Sequence, residues 1–228
     1  MRRLEDQTIL ISGATDGLGT LVAAELAAYG ATLLLQGLDD REGADTARQI
    51  QRRTGNTRVH WYRADLSSLR ETADLAGRIA GEHGQLDVLV NHLPPCLLTR
   101  KLLPVLLQSA PARVVNVACA GQAAIPLIMF TFDLADELAG SGVTVNCLRP
   151  AASVPAEMPD GQIQPHSSVQ EGIRATMRLI VSPALERVSG RYFEGLEQAA
   201  ASGQAWDENA RHRLGELPGR LTGLVTSR

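Results

Sequence analysis

Lysine is almost missing from this chain: Lys101 is the single lysine among 22 lysine and arginine residues. The residue four positions before it is Leu97, so no Tyr-x-x-x-Lys occurs anywhere. The three tyrosines, Tyr29, Tyr62 and Tyr192, are followed at that spacing by Leu33, Leu66 and Leu196, which also excludes an arginine substitute. Aromatic residues make up only 4% of the chain, too few for a surface that stacks on bases. Net charge is −3 and there is no basic run, so no nucleic-acid partner is expected. The three cysteines, Cys96, Cys119 and Cys147, form no CxxC and no pairing pattern, which suits a reducing compartment. Five scattered histidines with no accompanying carboxylate cluster give no support for a metal. MRRLEDQTIL runs straight into a strand-like segment without a signal-peptide core, and Val114–Val117 and Ala123–Phe132 are too short to span a membrane. The expectation is a cytoplasmic protein with no membrane partner.

What is present alternates. Strands are predicted at Thr8–Ser12, Thr32–Gln36, Arg58–Ala64, Asp87–Asn91, Arg113–Val117 and Val143–Leu148, with a short last one at Arg191–Phe193. Helical spacing falls between them: Leu18–Tyr29, Arg41–Arg53, a helix capped by Ser67 or Ser68 and running to about Glu82, Cys96–Gln108 interrupted or bent by Pro104, and Pro126–Leu138. Val169–Val181 and Asp207–Leu221 complete the set. Strands this apolar, separated by helices, predict a parallel sheet covered on both faces, so the fold class is α/β, one doubly wound domain over residues 1–228. Residues 151–168 lose all periodicity and carry Pro155, Pro159, Gly161 and Pro165, the composition of a lid loop.

Between the first strand and the first helix lies Ser12-Gly13-Ala14-Thr15-Asp16-Gly17-Leu18-Gly19. Glycines here permit a tight turn and the close approach of a pyrophosphate, whose charge the helix dipole and free N–H groups favour. The alternative is that these glycines only pack the helix on the strand. Asp39 lies 20 residues beyond Gly19, near the usual ribose-binding acid, and equally suits a helix start.

The turn, together with Asp65-Leu66 after the third strand, Asp87-Val88-Leu89-Val90-Asn91, Arg113-Val114-Val115-Asn116-Val117 and Val143-Thr144-Val145-Asn146-Cys147-Leu148-Arg149-Pro150, resembles the short-chain dehydrogenase/reductase (SDR) superfamily. Gly190-Arg191-Tyr192-Phe193 is similar to the last strand of its retinol-dehydrogenase-like members. The resemblance covers nearly the whole chain in order. It implies a Rossmann-like domain and NAD(P) held by Ser12, Gly13, Asp16, Gly17, Leu18, Gly19, Asp39, Asp65 and Leu66.

The departures fall on one pocket. Where the family has Asn-Asn-Ala-Gly and a long stretch before the next helix, Asn91-His92-Leu93-Pro94 leads almost directly into Cys96. Where the family's fifth strand ends in a Ser-Ser pair, this chain has Ala118-Cys119, and Leu127 to Thr131 follow at once, resembling residues normally beyond the Tyr/Lys pair. In the family, tyrosine acts as acid and base with its pKa lowered by lysine; help of this kind is worth about 10²–10⁴-fold. Leu38 stands where NADP-preferring members carry arginine, and Ala151-Ala152 follows Pro150, so the cofactor pocket is a vestigial one or a working one.

Four residues are candidates for replacement chemistry. Cys119 is a thiol at the end of a central strand, or a small core residue. Asn91 and His92 border the same cleft; His92 titrates near neutrality if unperturbed, and otherwise is a satisfied turn histidine. Arg149 offers a fork for a carboxylate or phosphate, or a surface ion pair. His166 and Glu157 fall in the lid. Leu93, Pro94, Pro95, Ile125, Pro126 and Ile128 supply apolar surface for a small-molecule pocket. Three functions remain open: a non-redox enzyme acting on an apolar metabolite by cyclisation, isomerisation or elimination; an NAD(P)-dependent oxidoreductase with relocated groups; and a catalytically silent subunit. A homo-oligomer is expected.

Overall fold

The computed structural model describes residues 2–15, 17–92, 96–118, 124–150 and 167–206. Within these, strands β1 (Thr8–Ser12), β2 (Thr32–Gly37), β3 (Val59–Arg63), β4 (Val88–Asn91), β5 (Ala112–Val117), β6 (Val143–Arg149), β7 (Arg191–Glu194) and β8 (Glu197–Ala199) form one sheet. Its order is β3-β2-β1-β4-β5-β6-β7-β8. Neighbours from β3 through β7 pair in parallel, and β8 returns antiparallel to β7. The strand order reverses between β1 and β4, and in open α/β sheets a ligand cleft lies at such a switch, beyond the strand C-termini.

Helices α1 (Gly17–Ala28), α2 (Asp40–Thr54), α3 (Leu69–His83), α4 (Cys96–Gln108), α5 (Ala124–Glu137) and α6 (Ser167–Val181) cover both faces. The period-two geometry of the strands divides the core in two. Leu10, Leu34, Leu89, Val114 and Val145 point to one face and pack on α3, α4 and α5. Ile9, Ile11, Leu33, Leu35, Val88, Val90 and Val115 point to the other and pack on α1, α2 and α6. The domain is therefore doubly wound, as the alternation of apolar runs predicts. Among the described residues no helix is long and apolar enough to cross a membrane.

Three elements differ from expectation. Pro104 does not interrupt α4, which runs unbroken because Leu98, Leu102, Val105 and Leu106 are all buried along it and offset the single backbone bond that proline removes. β7 is not the last strand: Gly195, with φ of 57°, makes a two-residue turn that folds Glu197–Ala199 back onto it. The lid over 151–166 and the helix expected at Asp207–Leu221 lie outside the described residues, while α6 begins at Ser167.

Arg113 on β5 is 4% exposed and ties α6 to the sheet. Its Nη1 donates to the carbonyls of Leu179 and Ile180, both at 2.9 Å, and its Nη2 to that of Ser182 at 2.8 Å. The first two carbonyls end α6, where no intrahelical N–H can satisfy them, and that of Ser182, just beyond the helix, also accepts from Leu185 N at 3.2 Å. Arg113→Met is expected to lower the unfolding free energy by about 3 kcal/mol, since a charged donor leaves several buried acceptors. Urea unfolding measures this, and a loss under about 0.5 kcal/mol contradicts the cap.

A titratable cluster joins β3 to α3. The Tyr62 hydroxyl donates to Glu82 Oε2 at 2.6 Å and lies 2.7 Å from His83 Nε2, and the His60 ring is 5.5 Å from that of His83. Burial, then the neighbouring His60, holds the His83 pKa below its ordinary value, opposed by Glu82. As pH falls through the unfolded value of about 6.5, the unfolded chain takes up the proton first, so His83 subtracts stability there. His83→Asn is expected to flatten the loss of stability between pH 7 and pH 5. Denaturant midpoints across that range with an unchanged slope would contradict it.

Candidate functional site

The turn after β1 is held by a single buried side chain. Gln36, 1% exposed at the end of β2, accepts from Gly13 N with its Oε1 at 3.3 Å and donates from Nε2 to the carbonyl of Ala64 at 2.8 Å. Its own carbonyl accepts from Ala14 N at 3.0 Å. Two backbone N–H groups of the turn are thus used inward, and those of the first turn of α1 are the ones without intrahelical partners. Thr20 Oγ1 closes the turn onto the Ala14 carbonyl at 2.9 Å.

The glycines are needed where they stand. Gly17 has φ of 54° and nothing within 4 Å of where a Cβ would sit, so the face of the helix start is open to a phosphate. A Cβ on Gly19 would fall 2.7 Å from the Gly13 carbonyl, so only glycine lets α1 close against the turn. Leu18 is half-buried and faces α6: a Cβ on Gly172 would meet its Cδ1 at 3.5 Å, and the Pro150 Cβ at the same distance. Asp16 lies outside the described residues. The turn fits a pyrophosphate, both in its open side and in its tight one.

The other expected contacts to a dinucleotide carry structural tasks. Ser12 is fully buried, and its Oγ accepts from His92 N at 3.1 Å, joining the ends of β1 and β4 across the switch point. Asp39 is exposed and caps α2, its Oδ1 accepting from Glu42 N at 2.8 Å. Both readings weighed for it, helix start and ribose contact, meet at this position, and the first is realised. Asp65 Oδ1 accepts from the N–H and the hydroxyl of Ser67 at 2.8 and 2.7 Å, and these bonds hold its carboxyl below the ordinary value. Leu66 packs half-buried against the α3–α5 core.

At the other end of the cleft the structure brings together, among the described residues, Asn91 and His92 only. Asn91 is fully buried: its Nδ2 donates to Thr99 Oγ1 at 3.0 Å and Asn116 Oδ1 at 2.8 Å, and Asn116 passes the chain on to Thr131 Oγ1 at 2.8 Å. Its amide nitrogen therefore faces β5 and α4, which makes it a positioning group. Its Oδ1 has no partner. His92 is half-buried just beyond β4. Arg149 forms the surface ion pair weighed for it, Nη2 to Glu194 Oε1 at 2.7 Å, with the Tyr192 hydroxyl donating to the same oxygen at 3.0 Å.

Cys119 and Leu93, Pro94 and Pro95 lie outside the described residues, as do His166 and Glu157. Ile128 is buried in the core between α5 and the sheet. Cys147 is a core residue, its thiol pushed up to about 12 by burial, and Cys96 is raised for the same reason. Among the described residues no group of three His, Cys, Asp or Glu side chains could hold a metal ion.

Sequence reasoning missed two parts of the site. Gln36 was signalled by a polar residue ending the run Leu33-Leu34-Leu35. Trp61 was not signalled by any local pattern: its indole lies on Gly37 and Gly43, and its Nε1 donates to Asp40 Oδ1 at 3.0 Å.

Comparison with known proteins agrees with this geometry. The sequence profile of the short chain dehydrogenase family matches residues 7–93. Retinol dehydrogenase 13 of Mus musculus is 30% identical over 285 aligned positions, covering 96% of this chain and 84% of that protein. Dehydrogenase/reductase SDR family member 13 of Homo sapiens is 28% identical, covering 98% of this chain and 75% of that protein. The 285 positions exceed the 228 residues available, so stretches of the mouse protein face gaps here, as a shortened chain requires. Among solved structures, a short chain dehydrogenase of Salmonella enterica serovar Typhi superposes with a TM-score of 0.75 at 22% identity, covering 86% of this chain and 99% of that one. The RhlG/NADP active-site complex of Pseudomonas aeruginosa does so with a TM-score of 0.66 at 22% identity, covering 85% and 97%. The chain belongs to the short-chain dehydrogenase/reductase superfamily, in its retinol-dehydrogenase-like branch.

Proposed function

We propose that this protein is an SDR-fold enzyme that binds a nicotinamide dinucleotide on the Ser12–Gly19 turn and catalyses a non-redox step, a cyclisation, isomerisation or elimination, on an apolar small metabolite. The observation that carries the reading is the combination of an intact turn with the absence of any Tyr-x-x-x-Lys. A bound dinucleotide would supply hydride exchange, which the proposed non-redox step does not use; Gly17 and Gly19 would admit its pyrophosphate, and Asp39 would reach its ribose. Carbonyl reduction also needs a positioned proton donor worth about 10²–10⁴-fold, and the Tyr/Lys pair that provides it in the family is missing. Reactions that depend on holding one geometry of an apolar substrate need no such pair. His92 is the titratable side chain that this reading places beside the substrate, for moving a proton at an imidazole nitrogen.

A second reading is favoured by the names of the relatives, which are dehydrogenases: an NAD(P)-dependent oxidoreductase using His92 or Cys119 in place of the lost pair. A silent subunit is the third. Following the absorbance of reduced nicotinamide across a broad panel of ketones and aldehydes separates the first two. No turnover is expected, and robust turnover that persists in rigorously purified protein establishes the second reading instead. Where a non-redox activity is found, His92→Ala is expected to lower kcat by at least about a hundredfold if the imidazole moves the proton. A fall of less than about threefold would remove His92 from the chemistry.

Gly19→Ala tests the turn separately. Its new Cβ would press on the Gly13 carbonyl, and dinucleotide binding is expected to weaken by roughly tenfold or more. Unchanged affinity in calorimetric titration would show that the dinucleotide binds elsewhere.

A further inference from the structure

We propose that His60 on β3 and His83 at the end of α3 share a divalent zinc ion, held between the edge of the sheet and the helix beside it. β3 is the outermost strand on its side of the sheet, and His83 is the last residue of α3. The pair stands toward the strand N-termini, at the opposite end of the sheet from the turn after β1.

The hydrogen bonds of this cluster fix which nitrogen of His83 carries the proton. The Tyr62 hydroxyl has one proton, and the Glu82 carboxylate, whose Oε2 lies 2.6 Å away, accepts it. His83 Nε2 lies 2.7 Å from the same hydroxyl, so in that contact the imidazole is the donor. Its ring is therefore the Nε2–H tautomer, and the lone pair is on Nδ1. The Arg78 guanidinium, 3.5 Å from Glu82 Oε1 and 5.0 Å over the Tyr62 ring, favours the charged carboxylate that the chain of bonds requires. Metal-binding histidines are prepared in this way: one ring N–H is given to an oxygen partner, which sets the ring orientation and raises the basicity of the other nitrogen.

A second imidazole stands at the matching separation. His60 is exposed, His83 is half-buried, and their ring centres are 5.5 Å apart with the planes at 56°. Two imidazoles that bind one zinc ion at about 2.1 Å, near the tetrahedral angle, place their ring centres about 5–6 Å apart. Ring packing alone tolerates the same distance; the lone pair on Nδ1, on a ring already oriented through Tyr62 and Glu82, is what selects a metal. Nitrogen ligands suit zinc and its neighbours, whereas magnesium and calcium take oxygen. Two histidines are fewer than the three or four protein ligands of a catalytic or closed structural site, so water completes the coordination and the ion exchanges freely. Its effect is to pin the edge strand to the end of α3.

Calorimetric titration of the full chain with ZnCl₂, and with MgCl₂ beside it, tests this without substrate or dinucleotide. One saturable zinc site with a Kd on the order of 10 µM is expected, and no magnesium binding. His60→Ala, at an exposed position, is expected to weaken zinc by at least about tenfold, and His83→Ala by a similar factor. Tyr62→Phe, which removes the acceptor of the Nε2–H, should weaken it several-fold; circular dichroism of each variant guards against a folding failure. No saturable zinc binding up to about 1 mM overturns the proposal. Affinity kept in both histidine variants places the ion elsewhere and overturns it too, and a loss in one variant alone overturns the sharing of the ion. Unchanged affinity in Tyr62→Phe overturns the role of the Tyr62–Glu82 pair.

Discussion

Gln36 is the side chain on which the ligand-binding end of the sheet depends. It stands at the end of β2, between the turn after β1 and the end of β3, and its one amide bonds to both. Because it is 1% exposed, no water can replace either bond, and leaving Gly13 N or the Ala64 carbonyl bare costs about 1–3 kcal/mol each. The consequence is geometric as well as energetic. The turn must leave β1 in a conformation that presents Gly13 N to β2, which turns Gly17 and the start of α1 outward over the strand ends. The site is thus an outcome of how three strand termini satisfy their polar groups.

A second buried network does the same for the other half of the cleft. Asn91, Thr99, Asn116 and Thr131 connect β4, α4, β5 and α5 through side-chain bonds alone. Thr131 also returns to the Leu127 carbonyl at 2.8 Å, and all four side chains are fully buried. Removing any one member strands its partners in a dry core, so folding itself constrains all four. A tyrosine and lysine lining an open cleft are constrained in a different way, by what they do to a ligand. Their loss removes little that the fold requires, which explains how a chain can lack the Tyr/Lys pair and keep the architecture of its relatives.

The same distinction accounts for how much was legible in the sequence. The seven parallel strands were found within a residue or two because central parallel strands are buried on both faces and read as continuous apolar runs. Leu33-Leu34-Leu35 sends alternate side chains into the two cores. Helix α4 was bounded at Cys96 and Gln108 from its spacing alone. β8 left no trace, because Glu-Gln-Ala has no strand signature and its pairing is imposed by the turn at Gly195. Of the candidate site residues, the turn glycines could be read because each answers a local backbone demand. Asp39 and Arg149 could not be resolved between two roles, because a cap or an ion pair depends on a partner that sequence spacing does not reveal. Trp61 is the extreme case: Gly37, Gly43 and Trp61 are unremarkable apart, and become a slot only when β2, α2 and β3 are assembled.

The two ends of the cleft therefore differ in what holds them. At the adenosine end, each side chain that would face a nucleotide is also bonded into the fold: Asp39 to α2, Asp65 to Ser67, and Asp40 to Trp61. Such groups are pre-positioned before a ligand arrives, so binding there need not order them, and their charge acts at fixed distance. At the opposite end the fold secures Asn91 and the His92 backbone, and residues 93–95 and 119–123 beyond them lie outside the described residues. On the proposed reading, a protein built this way changes its reaction without rebuilding its dinucleotide site, because the bonds that hold the turn, from Gln36 and Thr20, are not made by a Tyr/Lys pair.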